Sequence, residues 1–229
     1  MEKFVFYDLE TTGISTAFDQ PLQFAAIVTD LELNEIERVD ICCQLSPHIL
    51  PSPKALAVTG VRPSQLENNN LPSAFEFAQK LQEFTEKWAP AIWIGYNSIA
   101  FDEAMLRQMF YQNLQPNIFA TQFHNNTRLD VMKMVFAVHA EAPEILKWPI
   151  NEKGKVSFKL DQLAPLNGFH AHNAHDALGD VEATIFIVEK IKKQRPDLYQ
   201  KLFDARNKDR NLQLLKSFVP VEVTLRFGG

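Results

Sequence analysis

Apolar residues in the first hundred positions fall into short runs that are typical of β-strands. The run at residues 4–9 is apolar on both alternating faces until the acidic residues appear, as in a central strand covered on both sides. Two more runs, at residues 23–29 and 39–45, follow after short connections and predict an antiparallel meander with the first strand. The apolar segment 91–95 predicts a further, buried strand.

Hydrophobic positions elsewhere repeat with the spacing of helices. Ser73 and Glu76 form the pattern of a capping box, and apolar residues at helical spacing follow them. Residues 141–159 contain two prolines and predict an irregular loop. Further helices are predicted at residues 101–112, 130–139, 160–166 and 176–193. The order of these elements predicts an α/β fold, in which a mixed sheet carries helices on both faces.

The character of the sequence changes after Pro196. Residues 197–216 predict one charged amphipathic helix, and residues 218–227 predict a single strand. That strand has no evident partner among the preceding elements. We therefore expect a first domain over residues 1–195, followed at 196–229 by a connecting helix and the first strand of another unit.

Composition excludes several classes of protein. With 46% hydrophobic and 22% charged residues, the 229-residue chain is typical of a globular protein and not of a disordered one. Its first residues do not have the pattern of a signal peptide, and no apolar run approaches the ~18 residues of a membrane span, so we expect no membrane partner. The adjacent Cys42 and Cys43 are expected to be reduced thiols, which favours the cytoplasm. The sequence contains no Walker loop or dinucleotide-binding turn, which argues against nucleotide-driven motors and Rossmann dehydrogenases.

Asp8 and Glu10 are the first candidates for chemistry. They are two residues apart on a predicted strand, so both side chains project from one face about 7 Å apart. That spacing suits two divalent cations ~3.5–4 Å apart, and oxygen ligands of this kind select Mg²⁺ or Mn²⁺. The alternative is a solvated strand end, and the pair alone does not decide between the two. The net charge of −5 does not suggest nucleic-acid binding, but bound cations would reverse the local field.

Asp102, His175 and Asp180 are the next candidates. Asp102 begins a predicted helix, and on its own it is explained as a helix cap. His175 and Asp180 are five residues apart, about 140° around an ideal helix, so they share a site only if His175 lies before the helix or in its first turn. A neutral imidazole there is a suitable base near neutral pH. The alternative is a loop cluster of incidental histidines, which we accept for His170 and His172.

Three separated segments resemble the motifs of the DEDDh exonuclease superfamily, in the same order. They are Asp8-Leu9-Glu10-Thr11-Thr12-Gly13, then Asn97 with Phe101-Asp102, and then His175 followed after four residues by Asp180. Finer features, through residue 208, are similar to those of the bacterial exonuclease I family. These lie at residues 21–27, 59–61, 95–97, 147–149, 157–160 and 173–177.

The resemblance implies an RNase H-like fold with a mixed five-stranded sheet flanked by helices. It also implies 3′-to-5′ hydrolysis of single-stranded DNA to nucleoside 5′-monophosphates in DNA repair and recombination. Asp8, Glu10 and Asp180 would hold two Mg²⁺ ions, with Mn²⁺ able to substitute, and Asp102 would complete the carboxylate set. His175 would accept the proton of the attacking water. Residues 1–195 would form the exonuclease domain, and residues 196–229 would lead into an SH3-like domain.

Substrate contacts and partners are also implied by the resemblance. Lys159 occupies a position where the family has an arginine. A lysine keeps the positive charge but cannot make the bidentate hydrogen bonds of an arginine to phosphate. Apart from the resemblance, Tyr96 and Phe101 are candidates for stacking a terminal base, and Arg107 either contacts phosphates or is a surface charge on its helix. The expected substrate-binding residues are Glu10, Thr11, Thr12, Tyr96, Asn97, Phe101, Arg107 and Lys159. We expect a monomer that binds single-stranded DNA; docking of single-stranded-DNA-binding protein is a further expectation, weakened because family members use additional domains.

Two other functions are compatible with parts of this pattern. One is an RNA-trimming or proofreading enzyme of the same superfamily, against which the exonuclease I features argue. The other is a non-catalytic domain that binds single strands. Degenerate domains of that kind usually lose ligands, whereas here all five catalytic positions are filled, which favours an enzyme.

Overall fold

The computed structural model describes residues 2–66, 68, 70–170 and 176–218 of the chain. Its centre is a five-stranded sheet in the order β3-β2-β1-β4-β5. The strands are β1 (Lys3–Thr11), β2 (Pro21–Thr29), β3 (Glu35–Cys42), β4 (Ala91–Gly95) and β5 (Thr127–Asp130). The first three strands are antiparallel, and β4 and β5 run parallel to β1. The predicted mixed five-stranded sheet is therefore confirmed.

Helices cover both faces of the sheet. They are α1 (Pro53–Thr59), α2 (Pro63–Leu66), α3 (Ala74–Lys87), α4 (Asp102–Gln112), α5 (Val131–Glu141), α6 (Leu160–Leu166), α7 (Ala177–Gln194), α8 (Pro196–Asp204) and α9 (Lys208–Lys216), with 3₁₀ turns at Ala120–Gln122 and Pro143–Ile145. The predicted capping box forms at the start of α3, where the Ser73 hydroxyl accepts from the Glu76 amide and the Glu76 carboxylate accepts from the Ser73 amide.

Strand β1 lies in the middle of the sheet and has two apolar faces. Phe4 and Phe6 point into a core formed with α5, α6 and α7. Val5 and Tyr7 point into a second core formed with α3 and α4. Because side chains alternate along a strand, Asp8 and Glu10 continue the face that begins with Phe4 and Phe6. The acidic residues therefore emerge where α7 crosses the end of the strand.

One strand prediction needs correction, and one strand was missed. Strand β3 spans Glu35–Cys42 instead of residues 39–45, because it is an edge strand whose exposed positions carry charged residues and hide its hydrophobic pattern. Strand β5 was not predicted at all. It has four residues, of which only Leu129 supplies a large apolar side chain, so it gives no usable periodicity. The helix predicted to start at Asp130 begins at Val131, with Asp130 as its N-cap.

The predicted single helix at 197–216 is wrong, because the structure divides it into α8 and α9. Pro196 occupies the first turn of α8, and the Asn207 side chain accepts from the Arg210 amide at the start of α9. Leu198 and Tyr199 of α8 are buried in the same core as α7. The predicted strand at 218–227 lies almost wholly outside the described residues, and the domain boundary at residue 195 stays a prediction. No helix in the described ranges combines the length and apolarity needed to cross a membrane.

Candidate active site

Three carboxylates meet where β1 passes beneath the start of α7. Asp8 and Glu10 project from the same face of β1, and Asp180 lies in the first turn of α7. Each is half-buried, and one carboxylate oxygen from each residue lies within 4.8 Å of the other two. Helix α7 packs directly on β1 and β2, so the core contacts of the helix hold Asp180 against the strand. The structure thus brings together the three residues that the sequence predicted as metal ligands.

Asp102 adds a fourth carboxylate, which is fully buried at the first position of α4. Parallel pairing of β1 with β4 ends at Phe6 opposite Ile94. Beyond that point the backbone amides of Asp102 itself and of Leu9 act on the Asp102 carboxylate and lower its pKa, against the effect of burial. The start of α4 therefore lies close to the end of β1, between Asp8 and Glu10. The charge of Asp102 acts on Asp8 and Glu10, although the oxygens that converge within 4.8 Å belong to Asp8, Glu10 and Asp180.

Burial and mutual repulsion perturb these carboxylates strongly. Burial, together with the negative charges of Asp180 and Asp102, raises the pKa of Glu10 to about 8. Burial also raises the pKa of Asp102 to about 8, although its two backbone hydrogen bonds oppose the shift. The pKa of Asp8 is raised well above its usual value, first by burial and then by Asp102 and Asp180. These shifts thus arise from burial and from the negative charges of neighbouring carboxylates.

The donor set fits a divalent cation. All the converging ligand atoms are carboxylate oxygens, which hard cations such as Mg²⁺ and Mn²⁺ prefer. A cation of this kind would supply the positive charge that offsets burial and repulsion.

His175 lies outside the described residues. Helix α7 begins at Ala177, so His175 precedes the helix in the chain, which is the condition under which it could share a site with Asp180. The next residue, Asp176, is the N-cap of α7, and its carboxylate accepts a hydrogen bond from Gln23 Nε2 at 2.9 Å. The role of His175 as a base stays a prediction.

The turn after β1 carries Thr11 and Thr12, both of which are buried. The Thr11 hydroxyl donates to the Gly13 carbonyl at 2.7 Å, and the Thr12 hydroxyl donates to the Asp19 carboxylate at 2.7 Å. A Cβ at Gly13 would lie 2.5 Å from the Asp19 carboxylate, so a larger residue there would displace the carboxylate from its bond to Thr12. The two hydroxyls hold the turn together, directly beside Glu10.

The remaining candidates for substrate binding differ in their contacts and exposure. Tyr96 donates its hydroxyl to the Phe158 carbonyl, and Phe101 is half-buried against the core beneath α4. The Arg107 guanidinium lies over the Phe119 ring at 5.0 Å. Lys159 is exposed at the start of α6. Contacts of these residues with substrate stay predictions.

Three supporting residues were not found from the sequence. Asp130 is buried and accepts from the amides of Asn97, Ile99 and Met132, which fixes the turn between β4 and α4. The buried Glu103 carboxylate accepts hydrogen bonds from Tyr7, Thr121 and Arg128. Gln23 of β2 donates a hydrogen bond to Asp176 and so joins β2 to the start of α7. The only signal in the sequence is a polar residue within an apolar run, as Gln23 is in β2.

The fold and the carboxylate cluster define a nuclease domain with a site suited to divalent cations. The family model described as Exonuclease matches residues 5–188, and the chain belongs to this family. Exodeoxyribonuclease I of Buchnera aphidicola is 37% identical over 221 residues, which are 95% of this chain and 53% of the relative. Exodeoxyribonuclease I of Escherichia coli is 36% identical over 213 residues, which are 93% of this chain and 44% of the relative.

Solved structures show the same likeness. The zinc-ion-bound form of the Escherichia coli exonuclease I complex with single-stranded DNA has a TM-score of 0.86 and 35% sequence identity to this chain. The match covers 93% of this chain and 45% of that one. The chain spans about half the length of these relatives. The predicted resemblance to bacterial exonuclease I and the RNase H-like exonuclease fold are confirmed.

Proposed function

We propose that the chain hydrolyses single-stranded DNA from the 3′ end to nucleoside 5′-monophosphates, in DNA repair and recombination. The observation that carries this proposal is the convergence of Asp8, Glu10 and Asp180, whose ligand oxygens lie within 4.8 Å of one another. Similarity to exodeoxyribonuclease I, and to a structure of such an enzyme with single-stranded DNA, supports the substrate class.

The acidic residues have distinct parts in this proposal. Asp8, Glu10 and Asp180 would hold two divalent cations, with Mg²⁺ favoured and Mn²⁺ able to substitute. Such cations, when bound, polarise the phosphoryl oxygens and stabilise the leaving 3′-oxygen. Asp102 would complete the carboxylate set, because its charge acts on both Asp8 and Glu10. His175 would accept the proton of the attacking water.

The substrate strand would enter along the edge that carries the predicted contacts. Glu10, Thr11 and Thr12 lie together at the end of β1, which suits recognition of the 3′-terminal nucleotide. Tyr96 and Phe101 would stack on bases, whereas Lys159, exposed at the start of α6, would contact a phosphate. Residues 1–195 would form the exonuclease domain, and single-stranded-DNA-binding protein is a proposed partner on the resemblance alone.

Digestion of strands labelled at the 5′ end tests the proposal. Single-stranded DNA, RNA of the same sequence and duplex DNA are incubated with Mg²⁺ or with EDTA, and the products are separated by length. We expect a ladder that shortens from the 3′ end, on single-stranded DNA and with Mg²⁺ only. Release of the label as the first product would contradict the direction. Digestion of RNA in place of DNA would indicate a trimming enzyme, and binding without hydrolysis would indicate a binding domain.

A further inference from the structure

Gln23 lies directly across the sheet from Glu10. The two residues are paired in the antiparallel register of β1 and β2, so their side chains project from the same face. That face is the one that α7 covers. Gln23 is thus the nearest cross-strand neighbour of a predicted metal ligand, although nothing in the acidic motif includes it.

The amide group of Gln23 joins two strands and a helix. Its nitrogen donates to the Asp176 carboxylate at 2.9 Å and to the Asp40 carboxylate of β3, also at 2.9 Å. Its oxygen accepts from the backbone amide of Ala177 at 3.5 Å. Asp176 and Ala177 are 153 and 154 residues from Gln23 in the chain, so these bonds connect distant segments. One neutral side chain therefore binds both the N-cap and the first residue of the helix that carries Asp180.

Repulsion in the cluster explains why such a tie is needed. Asp176 is close enough to raise the pKa of Glu10 and of Asp8, as Asp180 also does. Without a donor between them, the negative charges of β1 and of the first turn of α7 would drive the helix end away from the strand. An amide can donate to two carboxylates and accept from a helix amide, whereas a glutamate would add another negative charge.

We propose that Gln23 is a positioning residue that sets Asp180 against Asp8 and Glu10 and thereby raises the affinity for divalent cations. The inference rests on the proposed function only in the identity of the three ligands. Outer partners of metal ligands typically contribute 10- to 100-fold in metal affinity. Loss of the Gln23 hydrogen bonds should therefore weaken cation binding within that range, without removing any ligand.

Binding of Mn²⁺ to the DNA-free protein, measured by electron paramagnetic resonance, tests this role directly. Gln23→Met keeps the length of the side chain and removes its three hydrogen bonds, and we expect it to weaken Mn²⁺ binding about 10- to 100-fold. Asp40→Asn is the matched control, because it leaves the bonds to Asp176 and Ala177 in place, and its affinity should stay near wild type. Unchanged affinity in Gln23→Met would overturn the proposal.

An exchange of donor and acceptor separates positioning from a general loss of stability. Gln23→Glu should weaken Mn²⁺ binding, because a carboxylate then faces Asp176. In the double variant Gln23→Glu with Asp176→Asn, the amide at position 176 donates to the carboxylate at position 23. Its Mn²⁺ affinity should then lie within about threefold of that of the single variant Asp176→Asn. Failure of this rescue, with all variants folded, would contradict the proposal. These substitutions keep the size of each side chain. They therefore still test the positioning role of Gln23 in the event that Gln23→Met does not fold.

Kinetics distinguish this inference from the proposed function. In Gln23→Met we expect the Mg²⁺ concentration for half-maximal hydrolysis to rise, while KM for single-stranded DNA stays within about twofold of wild type. If wild type hydrolyses no DNA, the proposed function fails, but the Mn²⁺ affinities still test Gln23. If wild type hydrolyses DNA and the Gln23 variants bind Mn²⁺ normally, only the role of Gln23 fails.

Discussion

Carboxylates at the end of β1 titrate in an unusual range because they are buried beside one another. Burial, together with neighbouring carboxylates, raises the pKa of Glu10 and of Asp102 to about 8. Without a cation, these residues therefore take up protons close to neutral pH. Cations and protons compete for the same oxygens, so metal binding and pH are linked in this protein.

The first prediction concerns the stability of the metal-free protein. The folded-state pKa of Glu10 and Asp102 is about 8, whereas such groups titrate near 4 in an unfolded chain. The folded state then binds more protons between these values, so the stabilising contribution of these groups is lost as pH rises through about 8. In EDTA, we expect the melting temperature to be higher at pH 6 than at pH 8.5. An Asp102→Asn variant should show a weaker pH dependence, and an equally steep one would contradict the assignment.

A second prediction concerns stabilisation by Mg²⁺. Saturation at 100 times the dissociation constant contributes about 2.7 kcal/mol, which for a domain of this size raises the melting temperature by roughly 5–10 °C. We expect this rise at pH 8 in wild type, measured by differential scanning fluorimetry. Asp180→Asn should lose most of the rise, because it removes one of the three ligands. A full Mg²⁺-dependent rise in Asp180→Asn would place the cation elsewhere.

At the scale of elements, Asp130 connects the ends of β5, β4 and two helices. It caps α5 through the Met132 amide and also binds the amides of Asn97 and Ile99, in the turn that leads to Asp102. This turn also requires Gly95, since a Cβ there would lie 2.5 Å from the Ser98 Cβ. The position of Asp102 therefore depends on backbone contacts outside the acidic cluster.

We expect Asp130→Ala to reduce both stability and activity. Removing its carboxylate leaves buried amides unsatisfied and should cost about 1–3 kcal/mol in the free energy of unfolding, measured with urea. The rate of DNA hydrolysis should also fall, because the turn before Asp102 loosens. Ser73→Ala is the control, since it removes the cap of the remote α3 at a cost of about 1 kcal/mol and should leave the rate unchanged. Equal rates in the two variants would contradict the role of Asp130.

The sequence predicted those elements whose side chains have a clear hydrophobic period. Strands β1 and β4 and helix α7 have such a period. Asp8 and Glu10 lie near the end of β1, and Asp180 lies in the first turn of α7. Strand β5 could not be found, because pairing with β4 defines it more than its own side chains do. The bonds of Gln23 and Asp130 could not be found either, since their partners are distant in the chain or are backbone amides of a turn.

At the scale of the molecule, two separate cores on the faces of the sheet support a site at the end of its central strand, β1. Helix α7 has one end in the site and its middle in the core, where Ile187 is fully buried. Ile187→Ala should lower the free energy of unfolding by about 2–5 kcal/mol, as measured with urea. Leu212→Ala on the exposed face of α9 should change it by less than about 0.5 kcal/mol. Similar costs for both variants would contradict the division between buried core and exposed α9.

Release of the 3′-terminal nucleotide from single-stranded DNA labelled at that nucleotide tests the central claim most directly. With saturating Mg²⁺, wild type and Ser73→Ala should release the label as a nucleoside 5′-monophosphate at equal rates. Asp180→Asn should be slower by more than about 100-fold, because losing a ligand costs more than losing an outer partner. Its binding of the DNA strand should persist. Release by Asp180→Asn at the wild-type rate would show that the carboxylate cluster of Asp8, Glu10 and Asp180 is not the catalytic centre.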